Sequence, residues 1–287
     1  MFYAGLGVVM GCVFGGYMLM GGNMMIILKA APLEMVVILG AAAGAFLIGN
    51  PKTITSEAGN AFKEMLAGPK YQKEDFVDLL CLMYMIFKLL KTKGMLAIES
   101  HIENPHDSEL FKQFPKIQHD HHVMDFICDY LRMMSMGSDN PHQMEDIINE
   151  EMETHHKERH AMVAAYQNMG DGLPALGIVA AVLGVIKTMA AIDQPPAILG
   201  KMIGGALVGT FLGVFFAYGI VGPMASSLNS IYEEEGKFFQ CIKTGLIAYM
   251  NGFAPAIALE FARKTLMSHV RPSFAELEER IQNLPKL

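Results

Sequence analysis

Apolar residues fall in blocks along this chain rather than in the scattered stripes of a water-soluble protein. Residues 1–28 carry no charged side chain, nor do 35–51 or 202–232, and between 172 and 192 the only charge is Lys187. A helix needs roughly 20 apolar residues to cross a bilayer. The pattern therefore predicts four spans, at about 2–22, 33–50, 172–192 and 200–225. Short connections, from Gly21 to Pro32 and around Asp193-Gln194-Pro195-Pro196, make each successive pair antiparallel. The first block has no basic leader, and its glycine-rich stretch is too long for a secretory signal, so it reads as a retained anchor.

The polar blocks between and after the pairs read as helical. Phe76, Leu79, Leu80, Met83, Tyr84, Phe87 and Leu90 recur at three- and four-residue steps, as do Val123, Phe126, Ile127, Tyr130, Leu131 and Met134. Gly137 stops the second of these, and Asp139-Asn140-Pro141 opens a long polar helix leading to span three. Ser273 and Glu276 form a capping box for a last helix. No stretch alternates as a strand would, and there is no internal repeat. The expected fold class is all-α, a polytopic membrane protein with four transmembrane helices and a helical cytoplasmic domain. Its expected organisation is 1–50 (spans one and two), 51–171 (cytoplasmic helices), 172–225 (spans three and four) and 226–287 (C-terminal cytoplasmic helices).

Charge sets the orientation. Lys52, Lys63, Lys157, Arg159, Lys237 and Lys243 flank the spans on the side of the polar blocks, against little beyond Lys29 and Lys201 opposite. The positive-inside rule places the polar blocks and both termini in the cytoplasm. A net charge of −7 argues against nucleic acid as a partner. Four well-separated cysteines with no CxxC indicate neither a disulfide frame nor a cysteine metal site.

Glycines at four-residue spacing (Gly7, Gly11, Gly15; Gly40, Gly44; Gly205, Gly209, Gly213) allow close helix packing in lipid, and stripes on three spans favour an oligomer. Glu34 and Asp171 fall at span ends, and Lys187 can snorkel to the outer face, so no Asp or Glu is expected well inside a span. An ion relay across a membrane needs an ionisable group there. If this chain handles ions, the carboxylate must come from another chain. Pro174 opens span three and Pro223 closes span four, each either a hinge or a helix boundary. Ala181 lies two turns beyond Pro174 on the same face. Thr210 is the one hydroxyl in mid-span four, and the ordinary partner of such a hydroxyl is its own helix backbone.

The segment Ala206-Leu-Val-Gly-Thr210-Phe-Leu-Gly213, with Pro223 ten residues on, resembles the signature of the MotA stator family. Gly15-Gly-Tyr17, Asp125-Phe-Ile-Cys-Asp-Tyr-Leu131, Leu173-Pro-Ala-Leu-Gly-Ile-Val-Ala-Ala181 and Arg271-Pro-Ser-Phe-Ala-Glu-Leu-Glu278 match in the same order. The resemblance implies a flagellar stator subunit of the bacterial inner membrane, not an enzyme, with no cofactor and no metal. It implies five such subunits around two MotB-like subunits that supply the membrane aspartate. It further implies that Pro174 and Pro223 serve ion-coupled motion, and that Lys91 and Glu99 contact a FliG-like rotor protein. The family usually has arginine at the first of these; lysine keeps the charge and loses the planar fork. Sodium-using members tend to carry threonine where this chain has Ala181, which implies proton use. An ExbB- or TolQ-like energiser is the neighbouring alternative, although such relatives usually have three spans. A metal enzyme built on His119, His121, His122, His155, His156 and His160 is a distant one, because Glu158 does not stand where HExxH requires.

Overall fold

The computed structural model describes residues 2–285, and among these every regular element is helical. The elements are α1 (Phe2–Leu19), α2 (Met24–Gly49), α3 (Lys52–Ala67), α4 (Lys73–Lys93), α5 (Leu96–Glu103), α6 (Pro115–Gln118) and α7 (His121–Ser135). Two long helices follow, α8 (Pro141–Met189) and α9 (Pro196–Met250), then α10 (Pro255–Lys264) and α11 (Phe274–Gln282). Four of them, α1, α2, α8 and α9, are long and apolar enough to cross a membrane.

The caps act where the sequence puts them. Asn140 Oδ1 accepts from the backbone N–H groups of His142 (3.0 Å) and Gln143 (3.4 Å), which would otherwise be unpaired at the start of α8. Ser273 Oγ accepts from Glu276 N (3.1 Å), and the Glu276 carboxylate accepts from Ser273 N (3.2 Å), closing the box at α11.

Span two departs from expectation. Its helix starts at Met24, not near 33, because Asn23 Oδ1 accepts from Met25 N (3.0 Å) and caps it there. Pro32 is interior to the helix. Proline removes one backbone bond, a loss that packed neighbours make tolerable within a membrane. Here Ile26 and Ala30 approach Gly204 and Gly205 of α9, at 3.6 and 3.7 Å from where a Cβ would stand. Glu34 is consequently ten residues inside the helix, which corrects its expected place at a span end.

The chain divides into two compact units. One comprises residues 2–68 and 158–230 and holds the apolar spans. Its core joins Ile38 and Ala42 of α2 to Leu173 and Ala180 of α8 and to Val208, Leu212, Ala217 and Val221 of α9. Large apolar side chains also cover its outside, Leu19 at 92% and Ile48 at 89% exposed, as lipid contact requires. The Tyr166 hydroxyl donates to Ala58 O (2.6 Å), and Arg159 pairs with Glu64 (3.1 Å), fastening α8 to α3.

The other unit comprises residues 69–157 and 231–285. Its centre is α4, whose Phe76, Leu79, Leu80 and Phe87 are buried with Phe111, Phe126, Phe238 and Leu259. Tyr71 stacks on Phe238 at 3.9 Å while its hydroxyl donates to the buried Asp120 carboxylate (2.6 Å), which Lys70 also meets (2.7 Å). A buried carboxylate is stable only when partnered in this way. Cys81, Cys128 and Cys241 are buried free thiols, and burial pushes Cys81 up to about 11, which leaves it protonated and unreactive.

Candidate functional site

In the membrane unit, α8 and α9 pack backbone against backbone. A Cβ on Gly213 would stand 2.7 Å from Leu173 O and 2.8 Å from Gly177 Cα, and one on Gly177 would stand 2.8 Å from Gly209 O. One turn and more along, a Cβ on Gly184 would meet Ala206 Cβ at 2.6 Å. Only hydrogen fits at these places, so the two helices have the shortest separation that small residues permit. Gly177 and Gly184 complete on α8 the glycine pattern that the sequence showed for span four.

Both prolines are interior to continuous helices. Pro174 lies within α8, and Pro223 follows a π-helical turn, Ala217–Val221, inside α9. A wide turn absorbs the carbonyl that proline cannot bond and gives the ring space. The boundary alternative for these residues is thereby removed. Pro174 adjoins Leu173, whose carbonyl faces Gly213. Pro223 adjoins Gly222, whose N lies 3.7 Å from a Cβ on Gly170. Gly170 and Pro174 are one helical turn apart, so the two prolines occupy adjacent levels of the same helix pair. A second π-helical turn, Gly11–Gly15, interrupts α1. No residue type signals such turns.

Ala181 and Thr210 stand at one level, since Ala181 N would lie 3.2 Å from a Cβ on Gly209. Both are half-buried. The Thr210 hydroxyl makes no hydrogen bond among the described residues, unlike Thr188, whose hydroxyl donates to Gly184 O at 2.9 Å. Thr210 thus departs from the expected bond to its own helix.

Glu34 faces the same place. Its Oε2 lies 2.8 Å from where a Gly209 Cβ would be, and Lys187 of α8 is the charge that acts on it. Sequence reading missed this placement, although Asn23 is a cap residue of the strongest kind.

In the other unit, α4 ends at Lys93 and Gly94 turns the chain at φ +78°, its N–H donating to Leu90 O. Lys91 is exposed in the last turn of α4, and Glu99 is half-buried in the first turn of α5. Neither has an ion-pair partner among the described residues. Lys88 instead covers the Tyr84 ring at 5.7 Å. Lys91 borders an open hollow lined by Met95, Met134, Tyr249 and Phe253. His101 follows Glu99, its Nδ1 2.7 Å from the buried Ser108 hydroxyl. Burial first, and Lys93 second, hold its imidazole below the usual range. Of the other histidines, His155 stacks on Phe239 and meets His122 edge-on at 6.2 Å, and His269 lies 3.4 Å from Glu234. Among the described residues no three His, Cys, Asp or Glu side chains gather where a metal could be held.

These features define a polytopic α-helical membrane protein with closely packed, proline-bearing spans and a charged cytoplasmic turn. Residues 3–94 match the family described as Motility protein A N-terminal, and residues 118–241 match the MotA/TolQ/ExbB proton channel family. Motility protein A of Salmonella typhimurium is 43% identical over 96% of this chain and 92% of its own length. That of Escherichia coli is 42% identical with the same coverage. Chemotaxis protein LafT of Vibrio parahaemolyticus is 33% identical over 96% of both chains. The chain belongs to the MotA family within the MotA/TolQ/ExbB superfamily. In fold it is similar to a chain of the MotAB structure of C. jejuni (TM-score 0.77, 19% identity, 95% of this chain and 98% of that one). It is also similar to a chain of the flagellar MotAB stator complex of Bacillus subtilis (TM-score 0.72, 23% identity, 98% and 97%).

Proposed function

We propose that this chain is a flagellar stator subunit that forms a proton channel with a MotB-like partner and converts proton flow into torque on a FliG-like rotor protein. The observation that carries this reading is the relation to Motility protein A over 96% of the chain. The match of residues 3–94 to the motility-specific N-terminal model favours it over the energiser alternative. The protein is an inner-membrane channel-family protein and not an enzyme.

The finer assignments rest on residues. Pro174 and Pro223 let α8 and α9 flex together as the partner's membrane aspartate gains and loses its proton, with Ala181 and Thr210 beside the path. Ala181 offers no oxygen to a dehydrated sodium ion, which would need several oxygens together, so the coupling ion is the proton. Lys91 and Glu99 meet the rotor. The charge asymmetry around the spans puts both termini in the cytoplasm. A Cβ added at Gly7, Gly11 or Gly15 of α1, or at Gly40 or Gly44 of α2, would meet nothing within 4 Å beyond its own helix backbone. Those stripes suit contact with neighbouring subunits, the partner or lipid, in keeping with a pentamer.

Deleting the gene tests the reading. Cells should keep intact flagella and fail to swim, and swimming should return with the wild-type gene. Cells that lack the gene and swim normally, or that lose the filaments themselves, would refute it.

A further inference from the structure

Glu34 is a carboxylate inside the membrane helices that the mechanism above does not use. It lies ten residues beyond Met24 in the 26-residue helix α2, about 15 Å along an axis of about 39 Å. The hydrocarbon core is about 30 Å thick. Even if the whole excess of about 9 Å protruded at the Met24 end, Glu34 would remain about 6 Å inside the apolar layer.

Two observations separate it from a residue that serves packing. Its carboxylate accepts no hydrogen bond and forms no ion pair among the described residues, so it does not fasten one helix to another. It also occupies space left open for it. A Cβ on Gly209 would stand 2.8 Å from Glu34 Oε2, 3.1 Å from Ala180 Cβ and 3.2 Å from Ala181 N, so three helices meet there and only glycine leaves room. The charge acting on the carboxylate is Lys187, near the end of α8. Lys201, the charged residue of the apolar part of α9, is eight positions from Gly209, about 12 Å along the helix.

We propose that Glu34 is a second proton-binding carboxylate of the channel, contributed by this chain. It takes up a proton to become a neutral acid and releases it onward toward the partner's carboxylate, so the bonds made and broken are O–H bonds alone. In the orientation argued above, Met24 is at the outer face and Glu34 is on the entry side. A charged group in a span is costly unless it is paired or part of an ion path, and Glu34 lacks a bonded partner. The proposal rests on the proton-channel reading.

The test reconstitutes the chain with its MotB-like partner in vesicles and follows proton flux with an enclosed pH-sensitive dye, over a range of external pH. Glu34→Gln should lower flux on the order of a hundredfold while the complex still assembles, and Glu34→Asp should restore part of it. Lys187→Gln should displace the flux–pH profile, which a merely structural Glu34 would leave in place. Infrared difference spectra of the intact complex should contain a titrating carboxyl band that changes frequency in Glu34→Asp; this decides the matter if the Gln variant fails to assemble. Wild-type flux in Glu34→Gln at every pH, or no band assignable to Glu34, overturns the proposal. A wild-type complex that does not conduct overturns the channel reading instead, and the infrared band still decides Glu34.

Discussion

Substituting Gly213 by alanine tests the close contact between α8 and α9. The added methyl would stand 2.7 Å from Leu173 O and 2.8 Å from Gly177 Cα, and ordinary contact begins at 3.4 Å. The obstructing atoms are backbone, so no rotamer change relieves them. Either α8 and α9 separate along their contact or one bends, and Pro174 is the adjacent flexible point. Overpacking of this kind costs about 1–3 kcal/mol, while alanine recovers up to about 1 kcal/mol over glycine in helix propensity. Because backbone obstructs the methyl, the cost falls at the upper end of that range, and a net loss of about 2 kcal/mol follows. The assay is thermal unfolding of the purified stator complex, compared with Gly44→Ala, where the new methyl would meet no atom within 4 Å beyond its own helix backbone. Gly213→Ala should melt earlier and swim poorly, and Gly44→Ala should leave the fold of the single chain intact. Equal melting of Gly213→Ala and wild type would refute the backbone contact.

Three further predictions concern Lys91 with Glu99, Ala181 and His101. Lys91→Glu and Glu99→Lys should each impair swimming with expression and membrane insertion unchanged, and a reversed charge on the rotor should restore part of it. Alanine at either position should have a mild effect, since single exposed charges contribute roughly 0–1 kcal/mol. Swimming speed at fixed proton motive force should not rise with external sodium, and Ala181→Thr should slow proton-driven swimming without converting the ion. His101 has its proton affinity lowered from the ordinary 6.5 by folding, so its stabilising contribution is complete above that value and is lost as pH falls through the folded one. His101→Gln should flatten the dependence of melting temperature on pH below about 6.5; an unchanged slope would count against it.

Much of the architecture is legible in the sequence because each signal has one physical meaning. Charge-free blocks can only be buried or in lipid, and Asn140 and Ser273 cap where short polar side chains meet free N–H groups. The start of span two was harder to read. Lys29, Pro32 and Glu34 interrupt the apolar run, and each ordinarily marks a boundary, yet packing of Ile26 and Ala30 against α9 carries the helix through them. Tertiary contact overrode the local signal there. The roles of Pro174 and Pro223 were open for a related reason, since a proline begins a helix or bends one with the same residue. The π-helical turn ahead of Pro223 settles its place in α9 without any sequence signal. Thr210 shows the limit of local reasoning, for Thr188 bonds its own helix and Thr210 does not, with no local signal that separates them.

Proton flux in vesicles containing this chain alone, against vesicles containing it with its MotB-like partner, tests the central claim most directly. In the proposed shared channel, this chain contributes helices and Glu34 and the partner contributes the other carboxylate. The account predicts negligible flux from the lone chain and clear flux from the complex. Flux from the lone chain equal to that of the complex would contradict it.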